Sequence, residues 1–199
     1  TLQRTPASYT AVERDEKAAE YVRTLLIDDS QKVVCGHAEE TGLATGSATV
    51  VYGEAMLSMQ PAQVKGRIFS EAFRLLKPGG RYAIHELCLT PDDLDESTKD
   101  EIHRALSDAI HAGVRPLTPG EWRTELGSAG FTIEAEAQAP MHLLEPRRLV
   151  QDEGVGGALR FFLNVARNKK ARERVFAMRR VFRIYGHHLA AIMLVARKQ

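Results

Sequence analysis

Residues Glu71 to Leu89, EAFRLLKPGGRYAIHELCL, read as the end of a helix, a tight turn and a buried strand. Phe69, Ala72, Phe73 and Leu76 recur at helical spacing, and Lys77 is expected in the last turn, where a cation suits the carbonyl end of the helix dipole. Pro78-Gly79-Gly80 cannot continue a helix, so the element stops there. Tyr82 to Leu89 is an apolar run of strand length, interrupted only by His85 and Glu86. A core strand carries such polar groups only where something satisfies or uses them.

The chain has 199 residues, 44% of them hydrophobic, enough for one sizeable domain. A formal charge of +1 argues against a dedicated nucleic-acid binder. That average hides a split, because Met141 to Tyr185 holds 11 Lys/Arg against 4 Asp/Glu. Cys35 and Cys88 are the only cysteines; both lie in apolar runs and are expected as buried free thiols, which suits a reducing cytoplasm. No apolar run approaches the ~20 residues that cross a bilayer.

Working outward, Tyr9 to Val12 is a short strand ending at Glu13, followed by a helix from about Glu16 to Leu26. Lys32 to Cys35 and Ala48 to Tyr52 are the next strands, each followed by polar residues: Gly36-His37-Ala38-Glu39 after one, Gly53-Glu54 after the other. A helix begins near Pro61. Beyond the opening stretch, Thr90-Pro91-Asp92-Asp93 reads as a helix start, and Thr118-Pro119-Gly120-Glu121 as a capping box. Phe131 to Ala137 alternates as a strand, basic amphipathic helices follow, and Leu189 to Ala196 is the last strand. This order predicts an α/β domain with a mostly parallel sheet and a ligand at the carboxyl ends of its strands, where Glu13, His37, Glu54, His85 and Glu86 all fall.

With those motifs in order, the chain resembles the class I S-adenosylmethionine-dependent methyltransferases over nearly all its length. Leu76-Lys77-Pro78-Gly79-Gly80-Arg81 is similar to the family's turn before its fifth strand. Val12-Glu13-Arg14-Asp15 looks like the segment whose acid binds the ribose hydroxyls, and Gly36-His37-Ala38-Glu39 like the segment that holds adenine, with His37 in place of the family's Asp. The resemblance implies a Rossmann-like seven-stranded sheet with an antiparallel last strand. It also implies incompleteness at the N-terminus, because the family's first strand and glycine-rich loop fall before Thr1. The core is then 1–139 with 187–199, and 140–186 is a helical insert that caps the substrate. Implied ligands are S-adenosylmethionine and its product S-adenosylhomocysteine, contacted by Glu13, Arg14, His37, Ala38, Glu39, Gly53 and Glu54.

Glu54, His85 and Glu86 are the candidate catalytic residues for methyl transfer to a small-molecule or lipid-like acceptor. Three of the site residues have a plainer reading: Glu13 as an exposed acid before a helix, Glu54 as a partner for a cation, His85 as a satisfied core histidine. Alternation along the strand sends His85 and Glu86 to opposite faces, so one of them is expected to face the site. In the insert, Phe161, Phe162, Phe176 and Phe182 suit an apolar ligand and Arg147, Arg148, Arg179, Arg180 and Arg183 an anionic one. The same stripe suits a solvated face, a homodimer contact, a membrane surface or nucleic acid. Two other classes remain: a non-catalytic binding module on this fold, and a nicotinamide-dependent oxidoreductase.

Overall fold

The computed structural model describes residues 6–141, 154, 156–157 and 167–199. Its parallel strands come first: β1 (Tyr9–Glu13) beside β2 (Gln31–Cys35), and β3 (Ala48–Glu54) beside β4 (Leu76–Leu89). Helices α1 (Glu16–Arg23) and α2 (Ala62–Leu75) make the crossovers. After α3 (Glu96–Ile110) and α4 (Pro119–Ser128), β5 (Phe131–Pro140) and β6 (Leu189–Lys198) close the sheet antiparallel, with α5 (Lys169–Tyr185) between them.

The described residues hold six strands in two sheets, β1-β2 and β3-β4-β6-β5, where the resemblance implied a seven-stranded sheet incomplete at the N-terminus. No ladder joins the facing edges of β1 and β3; what links them is a contact between the Tyr9 and Tyr52 hydroxyls at 3.3 Å. The antiparallel last strand is present, pairing with both β4 and β5. β4 alternates cleanly, burying Tyr82, Ile84, Glu86 and Cys88 on one face and turning Arg81 and His85 to the other. Against the buried face pack Phe69 and Ala72 of α2 and Trp122 and Leu126 of α4. A second cluster joins Ile102 and Leu106 of α3 to Val181 of α5.

Local sequence explains most boundaries. Thr118 and Glu121 form the reciprocal capping box that starts α4. Helix α2 stops earlier than expected, at Leu75, so Arg74 occupies the last turn and Lys77 lies beyond it. Residues 77–80 then bulge from the ladder, since Ala48 pairs with Leu76 and Val50 with Arg81. A Cβ on Gly80 would lie 2.9 Å from the Lys77 carbonyl, so only glycine permits the close approach. The helix start expected at 90–93 is also displaced: Asp95 caps α3 through Thr98 N–H at 2.9 Å, while Asp92 accepts the Gly120 N–H at 2.5 Å and pairs with Arg123. Cys88 is buried as expected, but Cys35 is exposed, because β2 is an outer strand. Of the insert, Arg147, Arg148, Phe161 and Phe162 lie outside the described residues.

One buried cation has a measurable signature. Lys65 of α2 is 2% exposed, donates to the Arg115 carbonyl at 2.6 Å and lies 5.3 Å from the Trp122 ring centre. Burial pulls its pKa down to about 8, against the opposing pull of Glu86, Glu121 and Glu125. Between pH 8 and 10.5 the unfolded chain holds a proton that the folded chain has released, so this group makes stability rise with pH. Urea titrations across that window should show wild type gaining about 2 kcal/mol relative to Lys65→Met.

Candidate active site

The carboxyl ends of β1 and β2 lie side by side, and so do the carboxyl end of β3 and the Glu54-level segment of β4. Glu13 closes β1, half-buried, and its Oε1 accepts the Asp15 N–H at 2.9 Å. Asp15 in turn caps α1, so strand end and helix start are fixed together. The Gly36 N–H donates to the Glu13 carbonyl at 3.0 Å, which sets Gly36 to Glu39 beside the acid. Ala38 packs against the main core and His37 is exposed. Glu39 reaches Arg67 of α2 at 3.8 Å. Arg14 is exposed, and its carbonyl faces the Cys35 Sγ at 3.8 Å.

The segment after these residues is tied down by Glu71, which sequence reasoning missed. Its Oε1 accepts both the backbone N–H of Thr41, at 3.0 Å, and its hydroxyl, at 2.5 Å. Arg74 grips the same carboxylate at 2.6 Å and holds its pKa down at about 2. Glu71 lies among Ile68, Ala72 and Leu75 on the buried side of α2, and an acid at that helical position was the available signal.

At the end of β3, Gly53 and Glu54 belong to the strand itself. A Cβ on Gly53 would come within 3.2 Å of the Met56 Sδ. Glu54 and His85 are register partners on adjacent strands, and Glu54 Oε1 lies 3.2 Å from His85 Nδ1. Their side chains are 68% and 54% exposed. Met193 of β6 is the register partner of His85 on its other side, and Tyr52 precedes Glu54 by one alternation on β3. Both are exposed, so the acid-imidazole pair is flanked by apolar surface.

Glu86 points the opposite way and is 3% exposed. Its Oε1 accepts the N–H groups of Met56 and Leu57 at 2.8 and 2.7 Å; its Oε2 accepts the N–H and hydroxyl of Ser58 at 3.1 and 2.8 Å. The structure therefore separates the two polar residues of the opening stretch, His85 on the open face and Glu86 under the turn at 56–58. Ala55 adopts a positive φ of 50°, a strained conformation for alanine, and donates its N–H to the His85 carbonyl at 2.9 Å. His188 Nδ1 lies 2.8 Å from the Thr90 carbonyl in the short turn before β6.

Replacing Glu86 by Gln supplies a donor where only an acceptor fits, so urea unfolding should show a loss of about 2–4 kcal/mol. Glu54→Gln, on the exposed face, should stay within about 0.5 kcal/mol of wild type.

Comparison with known proteins adds to this geometry. Residues 1–84 match the family model described as a methyltransferase domain. A protein of Haemophilus influenzae (strain Rd), named only as uncharacterized, is 32% identical over 152 residues, covering 76% of this chain and 58% of its own. The sterol 24-C-methyltransferase of Debaryomyces hansenii is 32% identical over 127 residues, covering 61% of this chain and 32% of its own. The chain thus spans little more than half of the first relative and about a third of the second. Among solved structures, MccD protein superposes with a TM-score of 0.71 at 19% identity, over 97% of this chain and 80% of that one. Geranyl diphosphate C-methyltransferase of Streptomyces coelicolor, solved with Mg2+, geranyl diphosphate and S-adenosyl-L-homocysteine, gives 0.66 at 16% identity, over 100% of this chain and 65% of that one. By sequence, residues 1–84 match a methyltransferase domain, and by strand order and described helices the chain shares the fold of these solved structures.

Proposed function

We propose that the protein transfers a methyl group from S-adenosylmethionine to an apolar or lipid-like acceptor, with Glu13 on the ribose and the Glu54–His85 pair beside the reacting centre. The donor set fits the cofactor. A half-buried carboxylate, already oriented by the Asp15 N–H, can accept from two adjacent hydroxyls, and the Gly36–Glu39 segment beside it suits a flat base. In this reading Ala38, packed against the core, supplies the backbone contact, with Arg14, His37 and Glu39 at the end of the β1–β2 pair and Gly53 and Glu54 at the end of β3 completing the cofactor's surroundings.

When bound, the cofactor supplies a methyl group already activated by a positive sulfur. The chain's own residues then have two tasks, alignment and proton removal. Glu54 holds the His85 Nδ1–H and so leaves Nε2 as the acceptor for a proton from the substrate. Glu86 acts at one remove as a positioning residue, since it fixes the turn that follows Glu54. Tyr52 and Met193, flanking the pair, favour an apolar acceptor over a strongly charged one. The sterol methyltransferase among the relatives, and the prenyl chain of the geranyl diphosphate bound by a structural neighbour, lend weight to an acceptor whose reacting end is apolar. In this reading α5, whose end is fixed at the carboxyl end of β4, lies over the acceptor.

The observation that carries the reading is the acid at the end of β1 held beside the 36–39 segment. Calorimetric titration with S-adenosylhomocysteine should give saturable heat, and Glu13→Gln should weaken it by about 10-fold or more. No heat with the wild-type protein favours the binding-module alternative. Once a sterol- or prenyl-type acceptor is turned over, His85→Asn should lower kcat by about 10²-fold or more with a smaller change in KM. Unchanged turnover leaves alignment as the whole mechanism.

A further inference from the structure

Helix α5 has one side accounted for and one side that is not. Ala177, Met178, Val181, Phe182 and Tyr185 pack towards α3, and the Tyr185 hydroxyl donates to Glu101 at 2.5 Å. On the outward side, Phe176, Arg180 and Arg183 follow the i, i+4, i+7 spacing of a single stripe, with Ile184 at its margin. Phe176 is 59% exposed and Ile184 47%. Arg179, Arg180 and Arg183 are exposed and form no ion pair among the described residues. The helix holds seven Lys/Arg against Glu173 as its one acid, a charge of +6 in a chain of +1, so the remainder is −5.

We propose that this stripe docks the protein on an anionic lipid surface, with Phe176 entering the headgroup layer between arginines. Three features select that occupant. A bilayer presents a plane that touches one helix edge, whereas a nucleic-acid rod longer than the helix would run onto a body of net charge −5. A second copy meeting this face across a two-fold axis would set +6 against +6. Placement is the third feature. The turn Gly186–His188 joins α5 to β6, Leu189 pairs with Leu89, and the Thr90 N–H donates to the His188 carbonyl at 3.0 Å. The end of α5 is therefore fixed at the carboxyl end of β4, the same edge of the sheet as Glu54 and His85, so a docked membrane would lie along the rim of the site. The proposal stands on the helix surface and does not require the methyl-transfer reading.

Co-sedimentation with phosphatidylcholine vesicles, with and without phosphatidylserine, tests it. Binding is expected to need phosphatidylserine and to weaken with added salt, and Arg180→Glu with Arg183→Glu should weaken it by about 10-fold or more. Phe176→Trp in an otherwise unchanged chain reads insertion directly, through quenching by brominated lipid tails; Trp122 is fully buried and does not contribute to that change. Equal binding to both vesicle types, or an unquenched Trp at position 176, overturns the proposal. So does tighter binding to duplex DNA with the same dependence on Arg180 and Arg183, or a dimer that the arginine variants dissociate without any vesicle binding.

Discussion

Placing a carboxylate on the inner face of a core strand carries a desolvation penalty of several kcal/mol unless its oxygens find donors. At Glu86 four donors meet that demand, three of them backbone N–H groups from consecutive residues, Met56, Leu57 and Ser58. The same geometry dictates the shape of the chain after β3. To present three successive N–H groups to one side chain, the backbone must turn sharply, and Ala55 takes the positive φ that makes the turn. The strain is stored one residue from Glu54. An interaction in the core thereby decides where a surface carboxylate ends up, and with it the 3.2 Å approach to His85. The two neighbours in sequence divide the work by the two-residue period of a strand, one bracing from below and one facing outward.

Much of this was legible beforehand because it rests on short-range rules. The alternation of β4, the capping box of α4, and the acid at the end of β1 each depend on residues within a few positions of one another. What stayed hidden depends on partners far away in the chain. Glu86 satisfies donors about 30 positions earlier, Glu71 satisfies Thr41 at the same separation, and Lys65 finds its acceptor 50 positions later. No local pattern shows that a polar residue has such a partner, although an acid or lysine on the apolar side of a helix announces that one is needed. The displaced start of α3 has the same origin. Asp92 is the better-looking first-turn acid by sequence, but α4 captures it through Gly120 and Arg123, and Asp95 is left to cap.

Among the described residues the two sheets share no ladder. β1 and β2 pair with each other and are held to the rest mainly through loops and side chains, the Glu71 grip on Thr41 and the pairing of Tyr9 with Tyr52 among them. Burial and the Tyr52 hydrogen bond push the Tyr9 phenol up to about 12, so this phenol stays neutral. The proposed ribose-binding acid and the proposed proton acceptor therefore sit on different sheets. Among the described residues the Glu71 contact with Thr41 is one that links them, and Glu71, with its pKa held down at about 2 by Arg74, keeps its grip throughout the neutral range.

The exposure of Glu54 and His85 constrains the chemistry further. An ion pair or hydrogen bond between groups more than half exposed is weak, because water competes for both partners and salt screens them. Such a pair orients an imidazole reliably only once a ligand or another part of the chain displaces that water. Tyr52 and Met193 on either side give an apolar acceptor a surface to cover, and covering it removes water from the pair in the same event. On the proposed reading, binding of the acceptor would thus assemble the base that acts on it. A polar acceptor that brought its own water would gain less from the same residues, which ties the chemistry of the pair to the class of substrate beside it.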